Sequence, residues 1–172
     1  MEPVVSDSPG ATRAIAAVVA DLTVAGDLLV LCGDLGAGKT AFTQGFGAAL
    51  GIVDRITSPT FTIHAVYEGR LTLNHLDVYR FDQIDEVADL GLSELLDGTS
   101  VTVIEWGDTI IPALPRDYLE ISIGFPELDS ADSDGSDEGR VLMFRCVGSR
   151  WSAREGSLGA ALATVSGRQI QC

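Results

Sequence analysis

The chain has 172 residues, 46% of them hydrophobic, with a mean hydropathy of +0.25 and a formal net charge of −14. That size and apolar content suit one domain with a substantial core. The acidity excludes a broad direct nucleic-acid footprint, which needs clustered lysine and arginine. Cys32, Cys146 and Cys172 are odd in number and lack metal-ligand spacing, a pattern of a reducing cytoplasm rather than of a disulfide framework.

Ser8-Pro9 reads as a helix N-cap followed by proline in the first turn, and Ile15, Val18, Val19 and Leu22 continue at i, i+3, i+4, i+7, predicting an amphipathic helix. Its apolar stretch does not read as a secretory leader, because Asp21 interrupts it and Glu2 and Asp7 precede it in place of a basic flank. No run reaches membrane-spanning length, so no membrane partner is expected. Asp27 to Cys32, DLLVLC, reads as a strand buried on both faces. Gly33 to Thr40, GDLGAGKT, then completes a G-x-x-x-x-G-K-T phosphate-binding loop.

Phe42, Phe46 and Leu50 recur every four residues after the loop, on a helix that Gly51 terminates. Strand, glycine loop and helix in that order are the context such a loop requires. Its chemistry needs these residue types. Glycines let backbone N–H groups turn toward phosphates, an ammonium reaches their oxygens, and a hydroxyl joins a Mg²⁺ shell. Lys39 is the only lysine among eleven basic residues, retained where a compact, flexible point charge is needed.

Phe61–Tyr67 and Arg70–Val78 read as a hairpin turning at Glu68-Gly69. Leu90, Leu92, Leu95 and Leu96 suggest a helix ending near Gly98. Val101–Trp106, Tyr118–Phe125 and Val141–Val147 read as further strands. The acidic segment 127–139 reads as a solvated loop rather than a cation site, lacking the spacing of a calcium loop. Residues 151–172, with Gly156, Gly159 and Gly167, carry a poor helix signal and are expected to be weakly ordered. The predicted fold is α/β: a single domain over 1–150 with a mainly parallel sheet flanked by helices, and antiparallel strands added in the C-terminal part.

Two acids, Asp77 and Glu105, close predicted strands, and in an α/β sheet such ends face the same crevice as the glycine loop. The hydroxyl-rich Thr57–Thr62, TSPTFT, lies in a connection near that crevice and is suited to sensing a γ-phosphate. His75 shares the strand of Asp77, but with one nearby carboxylate and no second histidine on that strand it reads as a structural hydrogen-bonding residue, and His64, the other histidine, carries less signal still.

Four ordered motifs, GDLGAGKT, SPTFT, HLDVYR (His75–Arg80) and IEWGD (Ile104–Asp108), together resemble the TsaE family, formerly YjeE, of small ATPases in bacterial tRNA threonylcarbamoyladenosine biosynthesis. The likeness runs from about Thr12 to Asp108 and implies a P-loop NTPase fold. It implies that Gly33, Gly36, Ala37, Gly38, Lys39, Thr40 and Ala41 bind ATP, with Lys39 on the β and γ oxygens and Thr40 on Mg²⁺. Asp77 then corresponds to the Walker B acid, Glu105 to the acid at the metal or attacking water, and Thr60 to the switch-loop threonine. Trp106 would lie beside the nucleotide, Thr12 near the base, and Arg140 against the nucleotide.

The resemblance further implies a cytoplasmic ATPase that assists TsaD-like and TsaB-like proteins, the former transferring threonylcarbamoyl to adenosine 37 of tRNA. An acidic protein would then meet tRNA only through those partners. A small P-loop kinase is the alternative, disfavoured because Arg80 and Arg116 are isolated and no arginine-rich lid is visible. A GTPase with an N-K-x-D guanine-reading element is excluded, since Asn74 is the only asparagine and Lys39 the only lysine.

Overall fold

The computed structural model describes residues 1–79, 95–96, 98–126 and 139–166. Among these residues seven strands form one sheet: β1 (Val4–Ser6), β2 (Leu28–Cys32), β3 (His64–Tyr67), β4 (Leu73–Asp77), β5 (Val101–Glu105), β6 (Tyr118–Gly124) and β7 (Arg140–Val147). Their order is β1-β7-β6-β2-β5-β4-β3. The central four, β6, β2, β5 and β4, are mutually parallel, and β7, β1 and β3 join antiparallel. Antiparallel pairing therefore occurs at both edges, including the hairpin read from the sequence.

The centre is parallel because helices cover both faces, which lets β2, β4 and β5 be buried at every position. On one face α1 (Pro9–Leu22) and α2 (Lys39–Ala49) pack over Leu29, Leu31, Leu73, Val101 and Val103. On the other, Ile110 of a 3-10 helix (Gly107–Ala113) packs with Leu28, Val30, Leu76 and Ile104. The alternation of the two sets along each strand is the period-two pleat.

α1 begins where the sequence places it, with Ser8 Oγ accepting from the Ala11 N–H at 3.1 Å and Pro9 in the first turn. α2 ends at Leu50, with Gly51 beyond it at φ +80°. The two helices approach so closely that a Cβ at Gly45 would lie 2.4 Å from Arg13 Cα.

Three features depart from the sequence reading. β1 was not anticipated; a three-residue edge strand carries too short a pattern to register. β3 starts at His64 rather than Phe61, because Ile63 adopts φ +68° and its N–H bonds back to Pro59 O. The segment expected to be weakly ordered instead forms α3 (Ser149–Ser152) and α4 (Glu155–Ser166) as far as Ser166, with Trp151, Leu158 and Leu162 in the core. The i, i+4, i+7 spacing of Leu158, Leu162 and Val165 was the available signal, masked by Gly156, Gly159 and Gly167 in and around it. The leucine-rich helix expected around 90–98 and the acidic loop at 127–139 fall largely outside the described residues.

α3 and α4 are tied to the start of β2. Arg154 makes two bonds of 2.7 Å to the carboxylate of buried Asp27 and stacks 4.1 Å over Trp151, while Arg150 donates to Gly26 O and Ala25 O. Arg154→Ala is expected to lower stability by roughly 2 kcal/mol, less than for a fully dry pair because the arginine side chain is 21% exposed. Urea unfolding midpoints of the two proteins measure this.

A candidate nucleotide-binding site

The carboxyl ends of β2, β4 and β5 lie side by side on one edge of the sheet, where ligands of such folds bind. β2 runs directly into the glycine loop. Gly33 has φ +135°, and a Cβ there would sit 2.1 Å from the Ile123 carbonyl oxygen, so no other residue lets the loop leave the sheet beside β6. Cys32, just beneath, is buried, and desolvation, aided by Asp108 and Glu120, pushes its thiol up to about 12. It is an inert core residue.

The loop feeds the N-terminus of α2, where Gly38 takes the left-handed cap position and Lys39 and Thr40 form the first turn. Lys39 Nζ donates to Gly33 O at 2.6 Å and Asp34 O at 2.9 Å, and lies 3.4 Å from the ring centroid of Trp106. Burial pulls the Lys39 ammonium below the ordinary lysine range, against the opposing pull of Glu105, Asp77, Asp108 and Asp34. Trp106 is held there by φ +62°, which ends β5 and turns its ring under Tyr79, 4.7 Å away.

Asp77 and Glu105 are register partners at the ends of β4 and β5, and both are buried. They do different work. Glu105 Oε2 accepts from Thr40 Oγ1 at 2.9 Å, and its Oε1 accepts from Thr43 Oγ1 at 3.2 Å and pairs with His75 Nε2 at 2.8 Å. Asp77 Oδ2 instead accepts from Thr60 Oγ1 at 2.9 Å and from Ser58 Oγ. The loop that carries these hydroxyls is thus latched to Asp77, and it ends at Ile63, a β-branched residue in left-handed geometry that stores roughly 1–3 kcal/mol of strain.

Lys39, Thr40, Thr60, Asp77, Glu105 and Trp106 line one cavity of about 370 Å³. Thr12, Gly36, Ala37, Gly38, Ala41 and Arg140 line a neighbouring cavity of about 320 Å³ across the loop. Arg140 donates to Gly36 O at 3.3 Å and lies 4.3 Å from the Phe125 ring, and the Thr12 hydroxyl shares a 2.8 Å hydrogen bond with Ser6. Gly33 lines neither cavity and acts through the loop's path. Sequence reasoning did not single out Thr43, Ser58 or Tyr79. Thr43 was findable, since it stands three residues after Thr40 on the same face of α2.

The crevice can hold an anionic chain with its charge facing Lys39 and a hard cation near the carboxylates. Among the described residues no cluster of three or more histidine, cysteine, aspartate or glutamate side chains is suited to a metal by itself. Two carboxylates and a hydroxyl fit a cation that takes its remaining ligands from phosphate and water, the habit of Mg²⁺. No helix among the described residues is long and apolar enough to cross a membrane.

Comparison with known proteins bears on the family and the fold. The profile of the family described as "Threonylcarbamoyl adenosine biosynthesis protein TsaE" matches residues 6–130. The tRNA threonylcarbamoyladenosine biosynthesis protein TsaE of Treponema pallidum is 47% identical over 119 residues, 69% of this chain and 88% of that protein. Its namesake in Bacillus subtilis is 43% identical over 145 residues, 84% of this chain and 85% of that protein. The crystal structure of Bacillus subtilis YdiB superposes with a TM-score of 0.75 and 36% identity, covering 92% of this chain and 94% of that one. A glycine loop feeding a helix beside two strand-end acids, and relatives of this closeness over most of their lengths, lead to one assignment: the chain belongs to the TsaE family and has its P-loop NTPase fold.

Proposed function

We propose that the protein binds and hydrolyses ATP as an accessory of tRNA threonylcarbamoyladenosine formation at position 37, acting with TsaD-like and TsaB-like proteins. The observation that carries the reading is the 2.9 Å bond joining Thr40 of the glycine loop to Glu105 at the end of β5. It puts the loop hydroxyl, the acid and Lys39 in one crevice. In this reading the loop amides and Lys39 hold the β and γ phosphates, while Thr12 and Arg140 flank the nucleotide across the loop. Thr40, Asp77 and Glu105 are the residues that would hold Mg²⁺, which supplies charge neutralisation of the phosphate oxygens when bound. Glu105 positions water, and Thr60, bonded to Asp77, connects the phosphate end to the loop 57–62.

The net charge of −14 supports contact with tRNA through partners and not through this chain's own surface. ATP hydrolysis would then drive a cycle of association in the complex. Affinity capture of the tagged protein, with no nucleotide, ATP or ADP, should retain TsaD and TsaB homologues in amounts that change with the nucleotide. Absence of both in every nucleotide state overturns the partnership. Phosphorylation of a nucleoside or sugar by the purified protein would put a kinase in its place.

A further inference from the structure

His75 is wholly buried on β4, two residues before Asp77 and therefore on the same face of the sheet, toward α2. Its Nε2 lies 2.8 Å from Glu105 Oε1. Among the described residues its Nδ1, which is buried, has no hydrogen-bond partner. A carboxylate oxygen can only accept, so the Glu105 contact requires the proton on Nε2. An N–H at the unpartnered Nδ1 would be a buried, orphaned donor. The tautomer is therefore fixed by Glu105 alone.

An imidazole with one nitrogen stranded in the core is a poor choice for packing, where leucine would leave nothing unsatisfied. The single hydrogen bond the ring makes among the described residues, to Glu105, is the one that explains its presence. Glutamate has a terminal torsion with a broad minimum, so a carboxylate at a strand end is free to turn unless held. Here Oε1 is held by two donors, His75 and Thr43, on the interior side. Oε2 is left toward Thr40 and the crevice. Thr43 is the lesser tether, since its hydroxyl also lies 3.1 Å from Lys39 O.

We infer that His75 is a positioning residue: its Nε2–H fixes the Glu105 carboxylate so that one defined oxygen faces the phosphate end of the site. This rests on the proposed ATPase reading for its effect on turnover, but not for the hydrogen bond itself. His75→Leu removes the donor and keeps apolar bulk. It should lower kcat for ATP by roughly 10- to 100-fold, the usual range for losing a group that orients a ligand or catalytic side chain, while the Kd for ATP moves by less than about threefold, because the loop and Lys39 are untouched. His75→Gln can present an amide N–H near the position of Nε2 and should keep kcat within about threefold of the parent.

A second readout needs neither nucleotide nor turnover. Long-range ¹H–¹⁵N spectra of the His75 ring should show a protonated Nε2 and a bare Nδ1, and Glu105→Ala should move the Nε2 signal. A protonated Nδ1 in place of Nε2, parent-like kcat in His75→Leu, or equal loss of kcat, ATP affinity and melting temperature in both variants overturns the assignment. If the parent protein hydrolyses no ATP even with partners, the ATPase reading fails instead, and the ring spectra still decide the positioning role.

Discussion

Lys39→Ala should weaken ATP binding by at least about thirtyfold while the protein stays folded. The ammonium is held between two loop carbonyls and the Trp106 ring. Removing one partner of a desolvated charge pair costs roughly 2–5 kcal/mol, and each 1.4 kcal/mol is about a factor of ten. No second lysine exists to substitute. Arginine does not repair the loss, because its planar fork does not fit a pocket shaped for a point charge. Equilibrium titration with ATP measures the effect, and unchanged affinity would sink the phosphate-loop reading.

The same residue gives the affinity a pH dependence whose sign follows from its burial. Desolvation lowers the Lys39 pKa, opposed by Glu105 and Asp77, and a bound triphosphate, being anionic, raises it again. Affinity is then constant while Lys39 is protonated with and without ATP. It falls as pH rises through the lowered pKa of the free protein, so the decline begins below the ordinary lysine range. Lys39→Ala lacks that slope.

Glu105→Ala should leave ATP affinity within a few-fold of the parent and reduce turnover by about 10²- to 10³-fold, as expected for losing a group that acts on the transition state more than on the bound nucleotide. The geometry separates it from Asp77: Glu105 bonds the loop hydroxyl of Thr40, whereas Asp77 bonds the hydroxyls of Ser58 and Thr60. Single-turnover hydrolysis under saturating ATP isolates the step, and parent-like turnover would remove Glu105 from the chemistry.

Much of this was legible in the chain because it is encoded locally. The glycine loop is contiguous, its flanking strand and helix are continuous apolar patterns, and Asp77 and Glu105 each end a recognisable strand. Ser8 capped α1 as read, because a cap is a contact between near neighbours in sequence. What was not legible depended on distant contacts. α4 has a weak pattern of its own and owes its place to the core around Trp151, Leu158 and Leu162, with Arg154 on Asp27 anchoring the turn before it. β1 exists because β7 offers it an edge. Ile63 breaks β3 early through a backbone conformation that no propensity favours in a β-branched residue.

His75 shows the division most clearly. Its spacing from Asp77 put it on the right face, and one carboxylate neighbour with no second histidine on the same strand pointed to a hydrogen bond rather than a metal. The sequence by itself determined that a phosphate-binding loop would stand at the end of a buried strand near two acids, since loop, strand and acid are each written in consecutive residues. Only the tertiary structure decided which acid meets which hydroxyl. That choice is made by the parallel register of β4 on β5 and by the helix laid across them, and side-chain reach across neighbouring strands has no trace in the order of residues along one.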